Sequence, residues 1–455
     1  MLAVVLFSIA CGFAALSIGA AMAFSFWLFR QTSRLNRLPD GVAQTRADSD
    51  SPAMLPAFSP EAVVILCVRG HDPFLAETIR ALARQDYSNY RLLVVVDHRL
   101  DPAWQVVASV KFELGLNDLQ LELQELQQRH EQCGLKCSAL LQAVEGLSPS
   151  TTTDRVIVTI DSDAVPDKSW LDNLLRPLAD GSVGATTSNQ WFEPRSLAIG
   201  SWVRAVWQAG AIVPTAMLSN PWAGTFAIRH ADILASGLLD DWRTSIIDDG
   251  PVRENIKRLG KSIEFVPQNL VINREDCSLD FCFRYVARML TWSRLFESTF
   301  WITCVHAFFT SSLQASVVVW CFAELAMAMS GTLSETVWNR LIWPIGAVAV
   351  LLFSQVAGYL IVRHAILRGS LSAAKSQESK PGSRPLSWLT RLTCVTLSVP
   401  LATTAYALGC LRALRVKRVV WRKIAYDVEN GRRIKMLDYA PFVAEKPTAL
   451  ENHSV

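Results

Sequence analysis

The sequence predicts an α/β domain with a mostly parallel sheet, joined to transmembrane helices. Two observations lead to this fold class. Apolar, strand-like runs alternate with helix-like segments over residues 61–295, and long apolar segments lie on both sides of that region. Hydrophobic residues make up 51% of the chain, with 15 Trp and 20 Phe, which is too apolar for an ordinary soluble protein. The 455 residues have room for one large domain and a smaller membrane region.

Charge and cysteine usage exclude some classes of protein. The formal net charge of +3 is nearly balanced, so charge gives no reason to expect a nucleic acid as a partner. The ten Cys residues show no CxxC spacing and the seven His residues no metal-ligand spacing. We therefore expect free thiols in a reducing compartment, without a zinc site or a disulfide framework.

The chain begins with an apolar segment, residues 1–29, that is long enough to cross a bilayer. Arg30, Arg34 and Arg37 follow it, which places the next region in the cytoplasm by the positive-inside rule. A signal peptide would carry its positive charge before the apolar run, so an uncleaved anchor is favoured. Residues 30–60 are polar and rich in proline, as expected of a linker.

From residue 61 onward, runs of β-branched residues alternate with segments of helical periodicity. This order predicts a parallel sheet with right-handed crossovers, in which the C-terminal ends of the strands share one edge. Strands are predicted at 62–68, 91–97, 119–126 and 156–160, and helices at 73–85, from 101 onward and at 136–147.

The segment around which the domain is organised is RVIVTIDSDAVPD, residues 155–167. Its apolar part reads as a strand buried on both faces, and Asp161 and Asp163 leave the C-terminal end of that strand, where ligands bind in open α/β sheets. Two carboxylates so placed can hold a divalent cation that bridges to the phosphates of a nucleotide; the alternative is an acidic turn. Asp97 ends a neighbouring strand on the same edge and could accept hydrogen bonds from a base or ribose.

A second acidic pair, Asp248 and Asp249, precedes a predicted helix at 251–259. Either residue could cap that helix, because acidic side chains are common at the N-cap. Asp249 could instead accept a proton from a hydroxyl group that acts as a nucleophile. The WAGT turn at 222–225 precedes this pair, and its glycine would permit a close approach of the backbone to a ligand.

The segment RYVARMLTWSRLF, residues 284–296, has the apolar spacing of an amphipathic helix. One interpretation is a helix at the membrane surface whose Arg284, Arg288 and Arg294 reach lipid phosphates. The other is a helix that covers a site in the α/β domain. An enzyme that works at a membrane surface could use the helix in both ways.

Residues 296–414 are predicted to form a C-terminal membrane region. The segments 300–327 and 341–362 are apolar and long enough to cross, and Glu324 is the acidic residue within the first of them. A transporter would carry ionisable residues facing a pathway, and Glu324 alone in these two segments has that character.

A third apolar segment, 392–411, is interrupted at Pro400 and followed by a cluster of basic residues. A clean crossing would place that basic cluster outside, against the positive-inside rule. We therefore expect the segment to turn back at Pro400 or to lie obliquely, so that the basic tail, 415–455, stays in the cytoplasm.

Several motifs of the sequence occur together in one family. They are Asp97 in VVDHRLDPA, Lys136 in GLKCSALLQA, Asp161 in IDSDAVPD, Asp249 in IIDDGPVREN, and Arg288 with Trp292 in RMLTWSRL. In these motifs the sequence resembles membrane-anchored family 2 glycosyltransferases, most of all ceramide glucosyltransferases and their bacterial lipid-glycosylating relatives, over roughly residues 60 to 300. Thr291 stands where the last of these motifs has Arg in the family, and Arg294 is close enough to substitute.

The resemblance implies a GT-A type, Rossmann-like catalytic domain that faces the cytoplasm. It implies inverting transfer of a hexose, glucose, from a UDP-sugar to a membrane lipid hydroxyl such as that of ceramide, which gives a β-glycolipid. Asp249 would be the catalytic base, and Asp161 with Asp163 would bind Mn²⁺ or Mg²⁺. The residues implied in binding the nucleotide sugar are Asp97, Lys136, Asp161, Arg288, Trp292 and Arg294.

Two other functions are weighed against this one. A processive polysaccharide synthase is disfavoured, because few spans are available to line a polymer channel and the last motif is altered at Thr291. A non-catalytic membrane scaffold or transporter belongs to a different class. Its partners would not include the nucleotide sugar and the lipid acceptor that the motifs indicate.

Overall fold

A computed structural model gives the fold of the chain. It describes residues 2–38, 58–70, 72–147, 155–330, 335–370, 386–429 and 433–443. The residues outside these ranges include most of the predicted linker and the Ser/Thr-rich segment 148–154 before the central strand. They also include residues 371–385, after the second predicted span, and the end of the basic tail.

Strands and helices alternate through the first two thirds of the chain, and long helices follow. The strands are β1 (Glu61–Val68), β2 (Tyr90–Val96), β3 (Leu121–Glu125), β4 (Arg155–Ile160), β5 (Val183–Thr187), β6 (Gln190–Phe192), β7 (Thr225–Arg229), β8 (Ser262–Phe265), β9 (Val271–Asn273), β10 (Arg418–Trp421), β11 (Ile424–Glu429) and β12 (Arg433–Asp438). The helices are α1 (Leu2–Leu35), α2 (Leu75–Leu82), α3 (Pro102–Glu113), α4 (Leu135–Glu145), α5 (Trp170–Leu175), α6 (Ile199–Met217), α7 (His230–Ser236), α8 (Leu238–Trp242), α9 (Val252–Arg258), α10 (Leu279–Phe296), α11 (Phe300–Ser330), α12 (Glu335–Gly369) and α13 (Trp388–Arg415).

The main sheet has seven strands in the order β3-β2-β1-β4-β7-β5-β8. β7 runs antiparallel to its neighbours β4 and β5, and the other strand pairs are parallel. The predicted α/β class with a mostly parallel sheet is therefore confirmed. All six residues of β4 are buried, since apolar layers cover both faces of the sheet. Truncating a core residue such as Ile157 to Ala should cost about 2–5 kcal/mol of stability.

Helix α1 continues to Leu35, so it includes residues that we assigned to the linker. Polar side chains in its last turns find partners on the α/β domain, which explains the extension. Gln31 Nε2 donates a hydrogen bond to Glu264 Oε2 over 3.0 Å, and Arg34 forms an ion pair with the same carboxylate. The helix therefore docks onto the edge strand β8 instead of ending at the last apolar residue.

Within the described part of the chain, four helices, α1, α11, α12 and α13, are long and apolar enough to span a membrane. The predicted break at Pro400 is wrong, because α13 is continuous from Trp388 to Arg415 with Pro400 inside it. Proline removes one backbone donor, but packing against neighbouring helices can hold such a helix together. On the next turn, Ser311 Oγ of α11 donates a hydrogen bond to the carbonyl of Thr403 over 3.2 Å.

Both ends of α13 contact the α/β domain. Near its start, Arg391 Nη1 lies 2.7 Å from Oε1 of Glu193, a buried residue that follows β6. At its end, Arg294 Nη2 of α10 donates to the carbonyl of Val416 over 2.9 Å. Between these points the helix packs along α10, where Gly409 faces Leu290. The helix is therefore fastened to the α/β domain at both ends, and its orientation to a membrane stays a prediction.

The chain then returns to the α/β domain as a three-stranded sheet, β10-β11-β12. Its apolar face packs against α4, where the backbone N–H of Leu135 lies 3.3 Å from the Tyr426 hydroxyl oxygen. Met436 N also donates to the carbonyl of Glu131 over 2.7 Å. Residues 418–438, which we assigned to the basic tail, are therefore a folded part of the domain.

Candidate active site

A buried lysine joins two of the predicted acidic motifs. Lys136, in the first turn of α4, lies with its Nζ 2.6 Å from Asp161 Oδ1 and 3.1 Å from Asp248 Oδ2. The same ammonium donates to the carbonyl of Ala223 over 3.1 Å. Burial alone would lower the pKa of Lys136, but the two carboxylates raise it well above its ordinary value. The lysine therefore remains charged and holds both carboxylates in fixed positions.

Asp249 lies beside this cluster and does not cap the helix that follows. Its Oδ2 accepts a hydrogen bond from the Ala223 N–H over 2.7 Å. Pro251 is the residue that flanks α9, and no side chain caps that helix. The N-cap alternative for Asp248 and Asp249 is therefore wrong. Burial, followed by repulsion from Asp248, raises the pKa of Asp249 to about 7, which suits a general base near neutral pH.

Asp248 was only an alternative to Asp249 in the sequence, yet it is the more deeply buried of the two. Burial raises its pKa, whereas Lys136 opposes that change. The two neighbouring carboxylates thus have different tasks. Asp248 pairs with Lys136, whereas the backbone N–H of Ala223 orients the carboxylate of Asp249.

Gly224 of the WAGT turn leaves space for the side chain of Trp222. A Cβ on Gly224 would lie 2.0 Å from the indole of Trp222, so no larger residue fits without moving that ring. We expected this glycine to permit the approach of a ligand. The space is instead filled by Trp222, which shapes the turn that carries Ala223.

Asp161 and Asp163, the predicted metal ligands, both line one cavity. Burial, then repulsion from Asp161 and Asp72, raises the pKa of Asp163 to about 7. A cation bound between the two carboxylates would relieve the repulsion that Asp161 exerts on Asp163. Within the described ranges, no group of three or more His, Cys, Asp or Glu side chains could hold a metal ion. Two carboxylates suit Mg²⁺ or Mn²⁺ that takes its remaining ligands from phosphate and water.

Next to these carboxylates lies a cavity of about 180 Å³ with a strongly cationic wall. Its charged lining consists of five cationic side chains and three acidic ones: Arg69, Lys136, Arg204, Arg288 and Arg422, with Asp161, Asp163 and Glu275. The buried Nε atoms of Arg204 and Arg288 have no hydrogen-bond partner among the described residues. Burial also lowers the pKa of Arg288. Excess positive charge with unpaired N–H groups is suited to a polyanion such as a diphosphate.

Of the last sequence motif, only Arg288 reaches this cavity. Trp292 packs in the core beside Leu295, and the Thr291 hydroxyl donates to the carbonyl of Ala287 over 2.8 Å. Arg294 is directed at the carbonyl of Val416 and does not line the cavity. We predicted that Arg294 would substitute for the missing motif arginine. In the structure Arg294 lies outside the cavity lining, so it does not take that place.

Asp97, at the end of β2, lies outside the cavity lining and is buried among three partners. Arg69 pairs with Asp97 Oδ2, while Arg129 Nε and the Tyr439 hydroxyl donate to Oδ1 over 3.2 and 3.1 Å. Tyr439 follows β12, so the C-terminal sheet covers this carboxylate. A base or ribose could reach Asp97 only if Tyr439 moved.

Sequence reasoning missed several residues of this site: Arg69, Arg129, Arg204, Arg422 and Tyr439. They lie in loops, in α6 and in or just after the C-terminal sheet, outside the motifs themselves. A Trp-Arg pair at 421 and 422 was visible in the sequence, but nothing local placed it beside Asp161 and Asp163.

The fold and the site define a GT-A type glycosyltransferase, an enzyme that moves a sugar from a nucleotide-sugar donor. The chain belongs to glycosyl transferase family 21, whose model matches residues 18–434. The predicted relationship to ceramide glucosyltransferases is thereby confirmed at the level of the family.

Two of the solved structures that are similar to the chain are described by their complexes. One is the mannosyltransferase PcManGT from Pyrobaculum calidifontis in complex with GDP-Man and Mn²⁺, at 18% identity and a TM-score of 0.42, covering 89% of this chain and 99% of that one. The other is glucosyl-3-phosphoglycerate synthase from Mycobacterium tuberculosis with Mn²⁺, UDP and glucosyl-3-phosphoglycerate. It has 16% identity and a TM-score of 0.34, and covers 51% of this chain and 80% of that one. No curated protein matches the chain.

Proposed function

We propose that this enzyme transfers glucose from UDP-glucose to the hydroxyl of a membrane lipid such as ceramide, with inversion, to give a β-linked glycolipid. The observation that carries the proposal is the shared position of the acidic cluster and the cationic cavity. Both lie at the C-terminal end of β4, on a domain packed against helices long enough to span a membrane. This arrangement suits an anionic donor and an acceptor that arrives from the bilayer.

The donor's diphosphate is the leaving group, and its negative charge must be neutralised as the bond to the sugar breaks. Mn²⁺ or Mg²⁺ held by Asp161 and Asp163 would supply part of that neutralisation. Arg288 and the other cations of the cavity supply the rest. Lys136 fixes Asp161 through its 2.6 Å contact, so that carboxylate does not turn away from the cavity.

Asp249 is the proposed base. The Ala223 N–H holds its carboxylate in place, and the carboxylate takes the proton of the acceptor hydroxyl as the oxygen attacks the anomeric carbon. The new C–O bond forms on the face opposite the departing diphosphate, so an α-linked donor gives a β-linked product. One proton moves to Asp249, and the nucleoside diphosphate leaves with the bonding electrons.

The catalytic domain is proposed to face the cytoplasm, where nucleotide sugars are available. Arg30, Arg34 and Arg37 at the end of α1 support this orientation by the positive-inside rule. The packing of the C-terminal sheet against α4 supports the same side for that sheet and the catalytic domain.

The test uses the purified full-length protein in vesicles that contain ceramide, with UDP-glucose and Mn²⁺. We expect mass spectrometry to find ceramide carrying one hexose, and the NMR coupling of the anomeric proton to indicate the β linkage. Diacylglycerol as acceptor and GDP-mannose as donor serve as comparisons. A product bearing many sugars would favour the polysaccharide synthase, and an α linkage would exclude inversion.

A further inference from the structure

The turn between β10 and β11 has a backbone conformation that its residues do not favour. Trp421 pairs with Ile424, which leaves Arg422 and Lys423 as the two residues of the turn. Their φ angles are +47° and +66°, in the left-handed region. Turns of this kind normally contain Asn, Asp or Gly, because a larger side chain raises the energy of that conformation. Unfavourable backbone of this kind is concentrated at functional sites.

The tip of this hairpin is inserted into the cationic cavity. Trp421 and Arg422 both line it, beside Arg288 and the two proposed metal ligands. The backbone of Arg422 is held there, because Arg69 Nε donates to its carbonyl over 3.0 Å. Its guanidinium lies 3.7 Å from the buried carboxylate of Asp72 and is only 17% exposed. The turn therefore directs one arginine at the wall that would face an anion.

The last sequence motif has Thr291 in place of an arginine, and Arg422 can supply the missing positive charge at the cavity. Thr291 is buried and bonded to its own helix, and Arg294 points to Val416. Neither residue can deliver a guanidinium to the cavity. Arg422 and Arg288 line the same cavity. Two arginines on the wall of one cavity repel each other unless an anion lies between them.

We infer that Arg422 binds the diphosphate of the donor and supplies the cationic contact that Thr291 cannot make. This rests on the proposed function only in that the donor is a nucleoside diphosphate sugar. The C-terminal sheet is then a component of the donor site. The left-handed turn persists because it brings the guanidinium to the phosphates.

The experiment measures the binding of UDP and of inorganic pyrophosphate to the full-length protein with Mn²⁺ present, by displacement of a fluorescent UDP analogue. The informative variant is Arg422→Asn, because Asn adopts the left-handed conformation more readily than Arg. We expect its melting temperature to change little, because relief of the left-handed conformation opposes the loss of the 3.7 Å ion pair with Asp72. Both UDP and pyrophosphate should bind about tenfold to a hundredfold more weakly, since a charge-assisted hydrogen bond is lost.

Two further variants make the result specific. Arg422→Lys keeps the charge but loses the planar fork of donors, so it should recover only part of the affinity. Arg418→Asn removes an exposed arginine from the same hairpin, where its partner is Asp427, and should change neither affinity. If the hairpin had only a structural role, Arg418→Asn and Arg422→Asn would behave alike.

The outcomes separate the inference from the proposed function. Unchanged pyrophosphate affinity in Arg422→Asn would overturn the assignment, even if UDP bound more weakly, because the lost contact would then not be to phosphate. Failure of pyrophosphate to compete in the parent would overturn it as well. If the parent bound no nucleoside diphosphate, with GDP and ADP analogues also tested, the proposed function would fail and the inference with it.

Discussion

Two carboxylate sites lie at the same edge of the main sheet and differ in what surrounds them. Asp97, after β2, is buried with Arg69, Arg129 and the hydroxyl of Tyr439. Asp161, after β4, is paired with Lys136, and with Asp163 it faces an open cavity. The residue type and the position in the fold are the same. The neighbours therefore decide whether a carboxylate supports the fold or remains available to a ligand.

The largest effect on sugar transfer is expected at Asp161, which faces the cavity. Asp161→Ala should abolish sugar transfer with little change in melting temperature, because Lys136 keeps Asp248 as a partner. The loss removes one of two carboxylates that would hold the cation. Mass spectrometry of the glycolipid product and a thermal melt measure the two quantities. Full activity of the parent in excess chelator would exclude a role for the metal.

The next largest effect is expected at Asp249. Asp249→Asn keeps an oxygen that can accept from the Ala223 N–H but cannot take a proton from the acceptor. Transfer should slow by roughly a hundredfold to ten-thousandfold, with donor binding and the melting temperature unchanged. If transfer stayed near the parental rate, Asp249 would not be the base, and Asp248→Asn would be the variant to test.

The pH dependence of transfer follows from the same residue. The pKa of Asp249 is raised to about 7 by burial and by Asp248, and only its deprotonated form can act as a base. The rate should therefore rise as the pH increases through about 7 and then level off. Asp249→Asn should remove this limb from the pH profile of kcat. A limb that survives in the variant would belong to another group.

At Asp97, which is buried, the main effect of a substitution should be on stability. Asp97→Ala would leave the buried guanidinium of Arg69 without its partner carboxylate, which typically costs about 3–5 kcal/mol. Denaturant unfolding of Asp97→Ala and Asp161→Ala, measured side by side, tests the comparison directly. Equal losses of stability in the two variants would remove the distinction between a supporting and an available carboxylate.

The smallest effect is expected at Tyr439. Tyr439→Phe removes one hydrogen bond to Asp97 but keeps the ring, which lies 4.6 Å from the guanidinium of Arg129. A loss of about 1 kcal/mol of stability is expected for a single hydrogen bond. If a base must displace this side chain, UDP should bind slightly more tightly to the variant. Weaker UDP binding would indicate that the hydroxyl contacts the nucleotide.

The main sheet was predictable because its strands are continuous apolar runs. A short run of β-branched residues such as that of β4 fits few structures other than a buried strand. The positions of Asp161 and Lys136 followed from motifs carried on those elements. Arg422 and Tyr439 were not predictable, because their places depend on the packing of a C-terminal sheet against α4. The continuity of α13 at Pro400 was missed for a related reason, since neighbouring helices compensate for what proline removes.

The contacts of α13 also determine how far the catalytic centre stands from the lipid. The helix is joined to the catalytic domain near Arg391 and again at Val416, so the domain cannot tilt away without breaking both contacts. With α13 in a bilayer, these contacts would hold Asp249 at a nearly constant height above the hydrocarbon. We expect the enzyme to select acceptors by how far the reactive hydroxyl projects from the bilayer, and to be indifferent to the length of the tails beneath it.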